Sequence, residues 1–266
     1  MKRLPTPFVL LEAQRERGAE LWFYTCCHPA GHYPNRFIDQ PLIKLRVLHW
    51  INYRYDLKGY LHWGLNQFDG DDPYTQQGTG KDLPLGDRAI AYPGKERLLG
   101  SLRYSSQRDG IEDYEYLWVL EDRLRKLKER IGSDAFWLDP RQRPLEICRR
   151  VVGSFYDHTR DPDVLFAARR AVASEIEALS EQPLLVVQTS PPEGSVVPIG
   201  PRHVTVRGFV TPGAVVNVAG KAIDEVRESG YFTAVVFLRD DQQSFEVSTT
   251  DQGQQYAVTR SFLPGD

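Results

Sequence analysis

The sequence predicts a mixed α/β region followed by an all-β domain, and two observations carry that reading. Up to about residue 180, short apolar runs alternate with helical patterns, the rhythm of a β/α fold. Beyond it, β-rich runs recur at roughly ten-residue spacing with Gly, Pro and Asp between them, as in a β-sandwich. The expected division is 1–181 and 182–266, within "ALSEQPLLVVQTSPPEGS".

The elements follow in order. "LLEAQRERG" reads as a helix stopped by Gly18, and "ELWFYTC" as an apolar, aromatic strand. In "DQPLIKLRVLHWINYRYDLKG", Pro41 suits a first helical turn, and Leu42, Leu45, Leu48, Ile51 and Tyr55 form one face at helical spacing. Gly59 ends that helix, and "YLHWGLNQF" reads as a second, nearly continuous buried strand. A polar loop precedes a third short strand, "RAIAYPG". The helix "RDGIEDYEYLWVLEDRLRKLKERIG" has acidic residues early and basic ones late, which suits its dipole. Two further helices are expected at about 143–157 and 162–180. Strands apolar on both faces fit a parallel sheet covered by helices, with chemistry beyond the strands' C-terminal ends. The sandwich strands are "LLVVQTS", "HVTVRGFV", "AVVNVAG", "YFTAVVFL", "SFEVSTT" and "YAVTRSF".

Composition narrows the function classes. The chain has 266 residues, 41% hydrophobic and 26% charged, which suits a well-cored protein. Its 33 basic and 36 acidic side chains nearly cancel, so a nucleic-acid partner has little electrostatic support. The cluster "RLRKLKER" lies on a predicted helix as a solvated face. No apolar run approaches the ~20 residues of a membrane helix. The N-terminus makes a poor signal peptide, and three cysteines, two of them adjacent, make no disulfide framework. The compartment is left undetermined.

Four stretches stand in a specific order: "WFYTCCHPAGHYPNRFID", "RVLHWINYRYDLKGYLHWGLNQF", "DRAIAYPG" and "GSLRYSSQRDGIEDYEYL". Together they resemble the C-terminal part of the catalytic domain of glycoside hydrolase family 123 and its uncharacterised relatives, over roughly residues 8 to 120. The resemblance implies the last three units of a (β/α)₈ barrel. It also implies a parent enzyme, secreted or periplasmic, that releases N-acetylgalactosamine from β-linked glycans. The family reaction is retaining and substrate-assisted: the sugar's acetamido oxygen attacks its own anomeric carbon, outside the usual two-carboxylate scheme. An adjacent Asp-Glu pair orients the acetamido group and protonates the leaving oxygen, and in the family it lies on an earlier strand. Here Asp71-Asp72 and Asp240-Asp241 are the wrong type, Asp224-Glu225 lies in the sandwich, and Glu112-Asp113 is reversed within a helix. The implied protein is an incomplete barrel without catalytic residues, metal or cofactor, and inactive alone. The alternatives are a non-catalytic carbohydrate-binding or surface-attached protein and a subunit completed by another polypeptide. The run "VTVRGFVTPGAVVNVAGKAIDEVRESGYFTAVVFL" is similar to Ig-like modules of bacterial carbohydrate-active enzymes, which act more often as spacers than as binders.

The stretch "TCCHPAGHYPN" poses the sharpest question of chemistry. Zinc sites favour a C-x₂₋₄-C spacing, and adjacent strand residues point to opposite faces. A thiol nucleophile needs a base and an oxyanion hole; His28 is at hand, but no Gly-rich or helix-N-terminal setting accompanies it. The remaining reading is a strand end, with one cysteine packed and the other at the rim of a site. Twelve of the thirty aromatic residues lie between 21 and 74, suited to stacking on sugar C–H faces. The expected substrate-binding residues are therefore Tyr24 and Trp63 as stacking platforms, with Cys26, His28, Tyr33, Asn66 and Tyr92 around them. Trp22, Trp50 and Trp118 are assigned to core packing. Arg103 and Arg108 could serve a sugar carboxylate or sulfate, but are expected to hold the last helix against the barrel through Asp109 or Glu112. The tract 69–87 lacks the EF-hand order and reads as a mobile active-site loop.

Overall fold

The computed structural model describes residues 7–68, 72–75, 83–179, 184–197, 202–239 and 241–265, with side chains from residue 12 onward. The boundary expected at 181/182, Asp71, Asp240 and much of the 69–87 tract lie outside the described residues. Cα proximity gathers the chain into two compact units, Met1–Glu115 with Cys148–Ala168, and Tyr116–Ile147 with Arg169–Asp266.

The first unit begins with helix α1 (Pro7–Glu16) and strand β1 (Trp22–Tyr24), followed by α2 (Ile43–Arg54) and β2 (Gly59–Leu61). β1 and β2 pair in parallel, Trp22 opposite Gly59 and Tyr24 opposite Leu61. That register sends Trp22, Tyr24 and Leu61 to one face, which is exposed. The other face carries Phe23 and Tyr60, whose rings lie 4.9 Å apart, and the His49 ring of α2 meets Tyr60 edge-on at 5.6 Å. α2 is buried almost all round, from Lys44 to Tyr53 apart from Arg46. A helix so enclosed does not need the single apolar stripe read from its spacing, and Leu42 at one end of that stripe is exposed.

The parallel ladder among the described residues holds two strands, where the sequence suggested three. β2 ends at Leu61 because the next backbone groups are engaged elsewhere: Gln67 N–H donates to the Arg88 carbonyl, and Ile90 N–H to that of Leu65. Asn66 and Ala89 form an isolated antiparallel bridge. The expected third strand is β3 (Ala91–Pro93), which turns back antiparallel on β4 (Leu98–Gly100) through a tight turn closed by Gly94 N–H on the Arg97 carbonyl.

The long helix α3 (Leu102–Ile131) starts earlier than its acidic turns suggested, and α4 (Gln142–Val151) and α5 (Pro162–Ala178) follow. Within the first unit, Arg46 of α2 forms a fork on the buried Asp113 of α3, at 2.6 and 2.9 Å, and the Trp50 indole donates to the same carboxylate at 3.0 Å. Gly110 makes this contact possible: a Cβ there would stand 2.6 Å from the Arg46 carbonyl oxygen. Beyond α4, Val152 bridges His158 in a non-helical turn, so the expected helix to 157 stops short.

In the second unit, Leu117, Leu120, Leu124 and Leu127 form the buried stripe of α3 at three- and four-residue spacing. Thereafter the chain is β: β5 (Leu185–Ser190), β6 (Val196–Val197), β7 (His203–Val210), β8 (Val215–Val218), β9 (Lys221–Ala222), β10 (Tyr231–Phe237), β11 (Ser244–Asp251), β12 (Gln254–Ser261) and β13 (Leu263–Pro264). Two antiparallel sheets, β10-β7-β5 and β12-β11-β8-β9, enclose one core that includes Val187, Val204, Val206, Val216, Phe232 and Val247. β13 and β6 pair in parallel beside them. Arg143 of α4 is buried among Glu146, Glu175 and Glu193, and Arg260 of β12 reaches Glu175 at 3.4 Å. Burial opposes the charge of Arg143, yet the three carboxylates outweigh it and hold its pKa above the ordinary value.

Candidate functional site

The site is built where β2 ends. His62 and Trp63 follow it directly, and Asp87 arrives from the segment before β3. Asp87 is fully buried, and its Oδ2 accepts the Trp63 indole N–H at 2.9 Å. On the His62 ring, Nδ1 lies 2.7 Å from an Arg36 Nη2 and 3.1 Å from the Gly64 N–H. Both neighbours are donors, so Nδ1 is the acceptor and Nε2 carries the proton. That Nε2 lies 3.3 Å from Asp87 Oδ1, close enough for electrostatic attraction although neither atom is aligned in a hydrogen bond. Burial, with Arg36 adding to it, pushes the His62 pKa down to about 3, so the ring is neutral at physiological pH. Burial also raises the Asp87 pKa, a rise that Trp63 and Arg36 oppose.

Two arginines fix the backbone around this pair. Arg36 donates to the Gly64 carbonyl, and Arg103 donates to the carbonyls of Arg36, Gly86 and Ala89 at 2.5, 2.9 and 2.6 Å, and to the Tyr92 hydroxyl at 2.7 Å. Arg103 thus ties loops together, whereas Arg108 pairs with Asp109 at 2.9 Å and Glu112 at 3.5 Å on its own helix, pairs that do not hold that helix against the rest of the unit as expected. Gly86 sits at φ +85, and a Cβ there would stand 2.6 Å from Arg103 Nη1, so the residue must be glycine for the clamp to close.

The "CCHPAGHYPN" segment is a built loop. Asn35 Nδ2 donates to the Cys26 and Pro29 carbonyls at 2.8 and 2.9 Å, and its Oδ1 accepts the Arg36 N–H. Lys44 donates to the Gly31 and Tyr33 carbonyls at 2.6 and 3.2 Å. The peptide between His28 and Pro29 is cis. Cys26 and Cys27 are half-buried with sulfurs 3.7 Å apart. Among the described residues no group of three or more Cys, His, Asp or Glu side chains could hold a metal ion.

The candidate residues do not all converge. Tyr24 is 47% and Trp63 44% exposed, and each ring centroid lies 6.5 Å from that of His62, so those two flank one imidazole. His28 and Asn66 are exposed. Tyr33 meets Tyr156 edge-on at 6.1 Å, and Tyr92 faces Tyr74 at 5.6 Å. Of the tryptophans assigned to the core, Trp50 is fully buried, but Trp22 is 59% exposed because the face of β1 that carries it is bare. Arg36, His62 and Asp87 escaped the sequence reading. The available signal for Asp87 was an acidic residue separated by Arg88 alone from the apolar run "AIAY".

Tyr24 and Trp63 are thus half-exposed aromatic side chains at the ends of β1 and β2, Trp63 held by its hydrogen bond to buried Asp87. Residues 4–120 match the family described as glycoside hydrolase 123, catalytic domain. Over that stretch the chain is similar to part of this glycoside hydrolase domain. A family 123 glycoside hydrolase from Clostridium perfringens, whose structure was solved to detail glycolipid glycan hydrolysis, is 17% identical, with a TM-score of 0.42. That match covers 65% of this chain and 29% of the enzyme, so the chain spans less than a third of the enzyme's length. The endo-β-1,4-mannanase from Thermotoga petrophila is 9% identical, with a TM-score of 0.22 over 96% of this chain and 41% of its own. Curated proteins include no match. No helix among the described residues is long and apolar enough to cross a membrane.

Proposed function

We propose that residues 4–120 form part of the sugar-facing end of a glycoside hydrolase acting on β-linked N-acetylhexosaminides, and that this chain alone binds sugar without hydrolysing it. The observation that carries the binding role is Trp63: its indole N–H is spent on buried Asp87 while its ring stays half-exposed beside Tyr24. In this reading Tyr24 and Trp63 stack on the sugar, and Cys26, His28, Tyr33, Asn66 and Tyr92 line the rim. The absence of hydrolysis rests on sequence, since residues 4–120 contain no Asp-Glu pair. The pure chain should show no turnover of an aryl β-N-acetylgalactosaminide, yet bind N-acetylgalactosamine saturably, with binding lost in Trp63→Ala. Turnover abolished by that same substitution would overturn the proposal.

The bare face of Trp22, Tyr24 and Leu61 favours a second reading, a polypeptide that supplies further β/α units to it. Co-purification of such a partner would distinguish that reading. For the β-rich part, the expected 182–266, an Ig-like module is supported by the strand order. With β5, β7 and β10 taken as A, B and E, and β8, β11 and β12 as C, F and G, the sheets follow the Ig arrangement without strand D and with β9 added beside C.

A further inference from the structure

In the second unit a cavity of about 200 Å³ opens on the outer side of β5 and β7, beside the segment joining α3 to α4. Its lining shares no residue with the proposed sugar site, and the inference does not depend on that site. The strand register places Gln188 opposite Arg207 and Ser190 opposite Thr205, so all four share one face, opposite to the core-facing Val187 and Val206. Trp137 covers that face, its ring 5.4 Å from Phe209 and nearly parallel to it.

Two glutamines of the lining are committed to structure. Gln188 exchanges bonds with the Asp139 backbone at 3.0 and 2.6 Å, and Gln142 donates to Glu146 and to the Thr189 carbonyl. The rest of the polar lining is not. The Trp137 indole N–H is buried without a hydrogen-bond partner. Among the described residues, the Arg207 guanidinium and the hydroxyls of Ser190 and Thr205 have no side-chain hydrogen bond or ion pair. The nearby carboxylates are already engaged: Glu146 and Glu193 by Arg143, and Asp139 by the Arg141 N–H. A guanidinium, an indole N–H and two hydroxyls therefore line one small space without a competing carboxylate.

We infer that this cavity binds an oxyanion group, a carboxylate or a sulfate, either free or borne on a sugar. The guanidinium supplies charge and a planar fork matched to such groups, the indole a second donor, and the hydroxyls can donate too. The volume is below the ~300–1,000 Å³ of drug-sized sites and suits a single substituent or monosaccharide.

The test titrates the full chain with sodium sulfate, glucuronate and neutral galactose while following the indole N–H resonances, Trp137→Phe identifying the relevant one. At least one anion should move the Trp137 signal saturably, galactose should not, and Arg207→Gln should weaken binding at least tenfold, with Arg207→Lys intermediate. Response to sulfate identifies the free anion as sufficient, and response to glucuronate alone identifies a sugar-borne carboxylate. An unmoved Trp137 signal, an equal response to galactose, or unchanged affinity in folded Arg207→Gln overturns the inference.

Discussion

Asp87→Ala tests whether buried hydrogen bonding, rather than packing alone, positions Trp63. The substitution removes the acceptor 2.9 Å from the Trp63 indole and the carboxylate oxygen 3.3 Å from His62 Nε2. Hydrogen bonds to charged groups contribute about 1.5–3 kcal/mol, and a buried donor left unpaired costs about 1–3 kcal/mol. Burial already disfavours ionised Asp87, so part of that loss is returned when the carboxylate goes. The expected net destabilisation is about 1–3 kcal/mol. Packing loss alone could imitate this, so the decisive quantity is the coupling between Asp87→Ala and Trp63→Phe. Urea unfolding followed by circular dichroism on the four proteins should give a coupling of about 1–2 kcal/mol. A coupling below about 0.3 kcal/mol, within the error of additivity, would refute the claim that the Asp87 hydrogen bond positions Trp63.

Three further outcomes follow from the same geometry. The pKa of His62 is pushed to about 3 and that of His49 to about 4, chiefly by burial. Unfolded histidines take up protons near pH 6.5, so each contributes stability that is complete above that pH and lost as it falls toward 3–4, about 1 kcal/mol by pH 5.5. His62→Gln should flatten this slope in acid titrations of unfolding. Cys26 and Cys27 should alkylate in the native protein, and Cys148, buried with its thiol on the Trp50 carbonyl, only after unfolding. Cys27 should be the slower of the two, because Cys26 hydrogen bonding and burial raise its pKa. Arg143→Met strands Glu146, Glu175 and Glu193 and should cost about 3–5 kcal/mol by denaturant unfolding.

The sandwich strands were legible because alternation and turn residues are local signals: "HVTVRGFV" is β7 without adjustment, and "YFTAVVFL" overruns β10 by one residue. α2 was legible from its apolar spacing, although it ends at Arg54 and Gly59, the expected stop, opens β2; its burial was not legible, since no spacing reveals that a helix is enclosed on every side. Trp63 and Tyr24 stood out because aromatics at strand ends are conspicuous one at a time. Asp87 did not, because its role depends on His62 and Trp63, more than twenty residues away across a polar tract. The third parallel strand failed for the opposite reason. "AIAY" has a strand's composition, but composition does not choose a partner, and the tight turn at Gly94 supplied β4 first.

The two arginines of the clamp have a consequence for backbone accounting. Where a ladder runs out, each carbonyl that leaves it must find another donor or remain in water. Arg36 and Arg103 between them serve the carbonyls of Gly64, Arg36, Gly86 and Ala89, four acceptors from three loop segments. The guanidinium groups thus do the cross-linking that a neighbouring strand would do. Lysine, with one compact ammonium, could not reach three diverging acceptors from one position. Rigidity at this end of the strands is consequently a property of two side chains more than of the short sheet beneath them.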